Sequence, residues 1–338
     1  MSQTKQFPVP DAARPRRSTS AMIASIAAEG QKTRSAPFGH ALTALARKRP
    51  EIVGMTADLS KYTDLYVFAQ AHPERFYQMG MAEQLLMGAA AGMAREGFIP
   101  FATTYAVFAS RRAYDFICMA IAEESLPVKI ICALPGLTTG YGPSHQATDD
   151  LAIMRAMPNL TVIDPCDALE IEQAVTAIAD HPGPVYMRLL RGQVPLVLDD
   201  YKYQFRLGKA VLLREGVDVL FISCGLMTMR ALEAAKALEA DYISCAVLHV
   251  ATLKPLDEAA ILAAAAKPGR LVVVSENHSV IGGLGEAVAA TLMRAGVHPA
   301  FRQIALPDAF LDAGALPTLH DRYGISTEAI CVQIKGWL

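Results

Sequence analysis

The sequence predicts an α/β protein with two doubly wound domains, and three observations support this fold. Short apolar runs that suit buried strands alternate with helical patterns along the chain. The helices between them are long enough to cross back to a parallel strand. The alternation stops near residues 192–208 and then resumes, in a chain of 338 residues, the usual length of about two domains. The expected division is an arm at 1–30, domains at 31–193 and 209–338, and a linker at 194–208.

The first domain contains five predicted strands. In chain order they are EIVGMTADL, IPFATTYA, VKIICALPG, LTVIDPCD and PVYMRLL. Helices are predicted between strands over 82–95 and 109–124. Because these strands are apolar at nearly every position, we expect a mostly parallel sheet that helices cover on both faces.

The second domain repeats the pattern. Its predicted strands are VDVLFISCG, YISCAVLHV, RLVVVSEN and AFRQIAL, with helices such as MTMRALEAAKALEA and GLGEAVAATLMRAG between them. The segment GGLGEAV resembles a dinucleotide-binding turn, but Val288 stands where that motif needs Gly or Ala for close packing. A tight turn before a helix is the preferred interpretation.

Composition excludes several classes of function. The net charge is −2 and there is no long basic run, so nucleic acid is not an expected partner. No apolar run reaches the roughly 18 residues that span a membrane. Six scattered cysteines and eight histidines without metal-ligand spacing predict reduced thiols in a cytoplasmic protein with no metal ligands of its own. The polar, Pro- and Arg-containing start of the chain predicts a disordered arm.

Glu83 is the one carboxylate at the start of a helix made of small and apolar residues. Taken alone, an acid in the first helical turn is most often a partner of the helix dipole. Two later segments favour a functional role instead. YAVFASRRAYD follows a predicted strand end, where open α/β sheets bind ligands, and GYGPSHQATDD is a Gly-rich loop with one histidine.

These segments, in this order, resemble the C-terminal half of transketolase, and more closely the separate C-terminal subunit of split transketolases. The motifs that carry the resemblance are GMAEQ, YAVFASRRAYD, GYGPSHQATDDLAIMRAMPNLTVIDPCD, GPVYMRLLRG and ENHSVIGGLGEAVA. It covers the chain from about Thr33 onward, and deoxyxylulose-phosphate synthase is a further relative. The resemblance implies a pyrimidine-binding domain for thiamine diphosphate, followed by a transketolase C-terminal domain.

The resemblance also implies roles for individual residues. Glu83 matches the acid that hydrogen-bonds N1′ of the cofactor's aminopyrimidine and so promotes proton transfer from the thiazolium ring. Phe108 matches the ring that stacks on the pyrimidine, and Tyr105 the aromatic residue beside it. Asp58 of TADLS matches an acid near the cofactor and the subunit contact. His145 matches a histidine that contacts substrate oxygens and assists proton transfer.

Three arginines are implied substrate ligands: Arg34, Arg111 and Arg191. Their forked guanidinium groups suit a phosphate or another oxyanion. The acceptor pocket departs from the family pattern, because Tyr141 replaces the usual Asp before the histidine motif. The preceding strand end offers only Ala133 and Leu134 in place of a His or Arg, so we expect an altered substrate.

The resemblance further implies a partner. The string GDG, which marks the Mg²⁺ and diphosphate site in the family, does not occur here. A separate N-terminal subunit is expected to hold Mg²⁺, in an α2β2 assembly with a β–β contact, acting on small sugars. Two alternatives stay open: the β subunit of a 2-oxo acid dehydrogenase first component, and a non-catalytic subunit that stabilises a partner.

Overall fold

The computed structural model describes residues 26–27 and 30–338. Most of the arm predicted at 1–30 therefore lies outside the described residues. The strands are β1 (Thr33–Ser35), β2 (Ile52–Thr56), β3 (Phe76–Gln78), β4 (Ile99–Tyr105), β5 (Lys129–Ala133), β6 (Thr161–Ile163), β7 (Val185–Leu189), β8 (Gln193–Pro195), β9 (Val211–Arg214), β10 (Val219–Ser223), β11 (Cys245–His249), β12 (Thr252–Lys254), β13 (Leu271–Ser279) and β14 (Ala300–Leu306).

The helices lie between these strands and at the C-terminus. They are α1 (Pro37–Ala46), α2 (Tyr66–Ala71), α3 (Glu83–Arg95), α4 (Ala106–Arg112), α5 (Tyr114–Phe116), α6 (Asp150–Ala156), α7 (Ala168–Asp180), α8 (Leu226–Leu238), α9 (Glu258–Ala265), α10 (Leu284–Arg294), α11 (Leu316–Arg322) and α12 (Thr327–Trp337). In the part of the chain that is described, no helix is long and apolar enough to cross a membrane.

The first domain is built on a sheet with the strand order β12-β6-β7-β5-β4-β2-β3. Every pair in it is parallel except β12 with β6. Strands β5 and β7 are buried at every position. Burial of whole strands requires cover on both faces, so the predicted doubly wound, mostly parallel sheet is confirmed.

The second domain has a smaller sheet with the order β14-β13-β10-β11-β9. Its pairs are parallel except the antiparallel edge strand β9. The four strands predicted from sequence here correspond to β10, β11, β13 and β14. Helix α8 lies against β10, β11 and β13, and α10 lies against β13, so the predicted α/β layers are confirmed.

Two segments from outside the first domain's predicted bounds pair with strands of that domain. Strand β12 follows β11 of the second domain in sequence but pairs with β6 at the edge of the first sheet. The predicted linker at 194–208 starts inside β8, which pairs antiparallel with β1. The connection is therefore held against the first domain at its beginning.

The single helix predicted at 109–124 is wrong. Helix α4 ends at Arg112, Ala113 has φ −109° and ψ 9°, and the short α5 then leads into a π-helical turn at Ile117–Ala122. The interruption places two arginines, Arg111 and Arg112, in the last turn of α4. Cations are favoured in the last turn of a helix by the helix dipole.

Candidate active site

The candidate site lies at the carboxyl ends of the neighbouring parallel strands β4 and β5. Strand β4 ends at Tyr105 and leads directly into α4, which carries Phe108. Strand β5 ends at Ala133 and leads into the loop that contains Tyr141 and His145. Because both strands run in the same direction, these segments meet at one edge of the sheet, where open α/β sheets bind ligands.

Four rings meet at this edge. The centroid of His145 lies 5.5 Å from Phe108, 6.1 Å from Tyr105 and 5.2 Å from Tyr141. Tyr105 and Phe108 are 5.5 Å apart. Burial raises the pKa of Tyr105 to about 12, so its hydroxyl stays protonated at neutral pH. The structure thus brings together four residues that the sequence placed in the site.

Glu83 joins the cluster through a residue that was not predicted. Its side chain is 4% exposed and accepts a hydrogen bond of 3.0 Å at Oε1 from Nη1 of Arg112. The guanidinium carbon of Arg112 lies 3.9 Å from the centroid of Phe108. The sequence contained a sign of the contact between Phe108 and Arg112, because residues four apart in a helix lie on the same face.

His145 is held by its neighbours in a neutral form. Its backbone N–H donates to the carbonyl of Gly142 at 3.0 Å, and its Nδ1 lies 2.9 Å from Oγ of Ser144. Burial lowers the pKa of His145, and the positive charge of Arg112 lowers it further. A neutral imidazole at physiological pH can accept a proton from a substrate hydroxyl.

The three predicted arginine ligands lie in different surroundings. Arg111 donates to both carboxylate oxygens of Asp149, at 3.2 and 3.0 Å, and to the carbonyl of Pro143 at 3.3 Å. Arg34, on β1, pairs with Glu172. Arg191 is not in any ion pair within the described part of the chain; its guanidinium lies 5.5 Å from the ring of Tyr62.

The charge of Arg191 acts on one member of the aromatic cluster, Tyr105. Burial raises the pKa of both Tyr105 and Asp64, that of Asp64 to about 6, and the charge of Arg191 opposes each rise in part. Asp64 accepts the backbone N–H of Gly192 at 3.1 Å, which fixes the chain next to Arg191. Among the described residues, Arg34 and Arg111 each have a carboxylate in ion-pair contact, and Arg191 does not.

Asp58 lies in the turn after β2, away from the ring cluster. Its carboxylate accepts a hydrogen bond of 3.2 Å from Gln78, and its backbone N–H donates to Oε1 of Gln78 at 2.7 Å. The same oxygen accepts the N–H of Gly80 at 3.1 Å. Asp58 therefore fixes the segment that leads into α3 and to Glu83.

A buried ionic network adjoins the C-terminal end of the loop that contains His145. The side chain of Arg188 is 1% exposed. Its Nε donates to Asp150 at 2.9 Å, and its Nη1 donates to Asp164 at 3.2 Å. Its Nη2 donates to the carbonyl of Ala147 at 3.4 Å. Tyr186 donates to the same carboxylate, that of Asp150, at 2.7 Å. A buried cation between two carboxylates is costly unless fully paired, so the network fixes its members in one arrangement.

The second domain forms hydrogen bonds with the same loop. Leu137 donates its N–H to Oδ1 of Asn277 at 2.9 Å, and Gly314 donates to the carbonyl of Gly140 at 3.0 Å. Gly136 has φ +54°, and a Cβ there would lie 2.1 Å from the carbonyl oxygen of Asn277. Only glycine fits this close contact, so the loop is held between the two domains.

Two family models match this chain. The one described as transketolase, pyrimidine binding domain, matches residues 30–197, and the one described as transketolase, C-terminal domain, matches residues 208–330. A transketolase family protein of Sinorhizobium fredii (strain NGR234) is 74% identical over 329 residues, which are 97% of this chain and 95% of the relative.

Two further relatives carry more specific names. A 6-deoxy-6-sulfo-D-fructose transketolase subunit of Clostridium sp. (strain MSTE9) is 40% identical over 286 residues, covering 84% of this chain and 88% of the relative. A solved structure of a split-gene transketolase, an inactive β4 tetramer, is 42% identical and superposes with a TM-score of 0.81. That similarity covers 89% of this chain and 96% of the solved one.

Proposed function

This chain belongs to the transketolase family, and from that premise we propose that it is the C-terminal (β) subunit of a split, thiamine diphosphate-dependent enzyme. The proposed reaction transfers a two-carbon ketol unit from a ketose to an aldehyde. The observation that carries the proposal is the position of Glu83: a nearly buried carboxylate at the start of α3, beside an aromatic cluster at the carboxyl edge of a parallel sheet.

The donor set fits the aminopyrimidine end of thiamine diphosphate. Glu83 offers a buried carboxyl oxygen to a ring nitrogen, and Phe108 offers a ring face for stacking beside it. The ring of Tyr105 packs beside that of Phe108, with the centroids 5.5 Å apart. When bound, the cofactor supplies the carbanion chemistry at its thiazolium ring, while the protein supplies position and proton placement.

His145 and Arg191 are the proposed substrate-binding residues. His145 is neutral, and with Nδ1 engaged by Ser144, Nε2 remains to exchange a proton with a substrate oxygen. Arg191 supplies a positive charge for an anionic substrate end. Arg34 and Arg111 are already paired with Glu172 and Asp149, so they take part only if an anion displaces these carboxylates.

Tyr141 indicates a substrate that differs from the common pentose phosphates. It lies 5.2 Å from His145 and is 39% exposed, at the mouth of the cluster. A phenol is larger than the carboxylate of the family motif and can donate a hydrogen bond. Since a relative is named for a sulfonated ketose, a sulfonate-bearing sugar belongs in the substrate screen beside the phosphates.

An N-terminal subunit that holds Mg²⁺ and the diphosphate completes the proposed enzyme. Support comes from the split-gene relative and from the match to the pyrimidine-binding and C-terminal domain models. A β–β contact is proposed on the surface formed by α3, α5 and the π-helical turn after α5. Its exposed apolar side chains are Met81 just before α3, Leu85 on α3, Phe116 on α5 and Met119 in the turn. Exposed apolar surface of this kind is typical of subunit interfaces.

The test is cofactor binding, followed by product analysis, with and without the N-terminal subunit. Calorimetry is expected to show tight, Mg²⁺-dependent binding of thiamine diphosphate to the complex and weak binding to this chain alone. A complex that binds the cofactor but decarboxylates 2-oxo acids, with no ketol transfer, would support the dehydrogenase alternative. A complex with no activity on either substrate class would support the non-catalytic alternative.

A further inference from the structure

One side chain, Arg112, occupies both contact points proposed for the cofactor's aminopyrimidine. Its Nη1 donates to Oε1 of Glu83 at 3.0 Å, and its guanidinium carbon lies 3.9 Å from the centroid of Phe108. A planar guanidinium can satisfy a carboxylate and stack on an aromatic ring at the same time. A flat heterocycle cannot bind the same oxygen and the same ring face while Arg112 remains there.

We infer that Arg112 is a placeholder that fills the aminopyrimidine position in the free subunit and must swing out before the cofactor binds. The inference rests on the proposed function, because it takes Glu83 and Phe108 as cofactor contacts. It goes further by assigning a role to Arg112, which lies within the YAVFASRRAYD motif but received no role from the resemblance.

The two ends of the ion pair differ in their freedom to move. The side chain of Glu83 is 4% exposed, whereas that of Arg112 is 50% exposed. Arg112 is the last residue of α4 and precedes the interruption at Ala113. When Arg112 turns into solvent it gives up its contacts with Glu83 and Phe108, which are the contacts that the incoming ring would replace, and the buried carboxylate stays in place.

The neighbouring arginine cannot take the same role. Arg111 is held by two hydrogen bonds to Asp149 and one to the carbonyl of Pro143. Adjacent helical residues point about 100° apart, so only one of the two faces Glu83. Arg111 is for this reason a matched control: it has the same charge and the same helix end, with a different partner.

The first experiment locates Arg112 in the free subunit without any cofactor. The His145 ring is titrated by NMR in the isolated chain, in the wild type, Arg112→Gln and Arg111→Gln. Because the charge of Arg112 contributes to the lowered pKa of His145, Arg112→Gln is expected to raise that pKa, and Arg111→Gln to leave it nearly unchanged. Equal titration of His145 in all three proteins would show that Arg112 lies elsewhere and would overturn the inference.

The second experiment measures the competition in the complex with the N-terminal subunit. Calorimetric titration with thiamine diphosphate and Mg²⁺ is expected to give about fivefold tighter binding for Arg112→Gln than for wild type, because an ion pair with a half-exposed partner is weak and its loss removes only a modest competitor. Arg112→Lys, which keeps the charge without the planar stack, is expected to fall between them, and Arg111→Gln near wild type.

Weaker or equal binding by Arg112→Gln would show that Arg112 holds the cofactor or does not compete with it, and either result overturns the inference. Failure of the wild-type complex to bind thiamine diphosphate would refute the proposed function itself, and the inference with it. Circular dichroism melting of the three variants checks that each is folded, as expected for a half-exposed side chain.

Discussion

His249 of the second domain lies with Nε2 2.9 Å from both carboxylate oxygens of Glu170 in the first domain. Both side chains are fully buried. Nδ1 of His249 lies 2.8 Å from Oγ1 of Thr228, and the hydroxyl of Tyr203 donates to the same carboxylate. The buried carboxylate of Glu170, in the first domain, is thus hydrogen-bonded to Tyr203 of the connecting segment and to His249 of the second domain.

This pair predicts a loss of stability as pH rises above about 6.5, through the raised pKa of His249. Burial alone would lower the pKa of His249, but the charge and hydrogen bond of Glu170 outweigh it and raise the pKa above 6.5. A raised pKa gives stability that is complete below the unfolded value and is lost as pH rises through the folded value. His249→Gln is expected to cost about 3 kcal/mol near pH 6 and to flatten this pH dependence.

Urea unfolding of the wild type and His249→Gln between pH 6 and 9 checks that expectation. His298→Gln, at an exposed histidine, is the control and should follow the wild type. An unchanged slope of unfolding free energy against pH in His249→Gln would show that the pair does not couple protonation to folding.

Arg188→Met should loosen the histidine loop. Burial alone would raise the pKa of Asp150, but the charge of Arg188 outweighs it and holds the pKa below 3.8. Removing the cation leaves the buried carboxylates of Asp150 and Asp164 without a balancing positive charge, at a cost of about 3–5 kcal/mol. Urea unfolding should show this loss, and hydrogen exchange should show faster exchange at His145.

The control for that variant is Arg302→Met, at an exposed arginine whose guanidinium bonds only the adjacent carbonyl of Phe301 among the described residues. Its unfolding free energy and loop exchange should match the wild type. If Arg188→Met were as stable as Arg302→Met, the ionic network would not be what fixes the loop.

Glu83→Gln should abolish turnover of the complex and leave folding and assembly intact. Glutamine keeps the shape of the side chain but cannot exchange a proton with a ring nitrogen. Steady-state assays are expected to show a loss of more than about 100-fold. Glu96→Gln, at the exposed end of the same helix, is the control. Activity within about tenfold of wild type, or ~1.4 kcal/mol, would reduce Glu83 to a helix-terminus charge.

Tyr141→Asp should shift substrate preference toward the common pentose phosphates, because a carboxylate can accept a hydrogen bond from a sugar hydroxyl. The comparison is kcat/KM with xylulose 5-phosphate and ribose 5-phosphate for the wild type, Tyr141→Asp and Tyr141→Phe, where the last keeps the ring. Wild-type kcat/KM already above about 10⁴ M⁻¹s⁻¹, with no gain in Tyr141→Asp, would refute an altered pocket.

The layered α/β fold and the family were predictable from the sequence, and both are confirmed. Apolar runs such as those of β5 and β10 are buried throughout, so their pattern is unambiguous. Strand β12 was not predictable, because three residues that pair with a distant edge strand leave no local pattern. The interruption at Ala113 was also invisible, since no Pro or Gly marks it.

Part of the candidate site could be predicted as well. The rings of Tyr105, Phe108, Tyr141 and His145 were placed together by motif order, and they do meet in the structure. Their roles, and those of Asp58 and the three arginines, stay predictions. The contact of Arg112 with Glu83 was not predicted. Which of two adjacent arginines pairs with a given carboxylate depends on the direction of their side chains, and the sequence does not give that direction.

The most direct test of the central claim is ketol transfer by the reconstituted complex. This chain and an N-terminal transketolase subunit, each purified alone, are mixed with thiamine diphosphate, Mg²⁺, a ketose labelled with ¹³C at C1 and C2, and an acceptor aldehyde. Because the donor ketose is not identified, the assay uses a panel of phosphate- and sulfonate-bearing ketoses. NMR is expected to find the two labelled carbons together in a ketose two carbons longer than the acceptor aldehyde, only when both subunits are present. No transfer of the labelled pair from any ketose, in a complex shown to bind the cofactor, would contradict it.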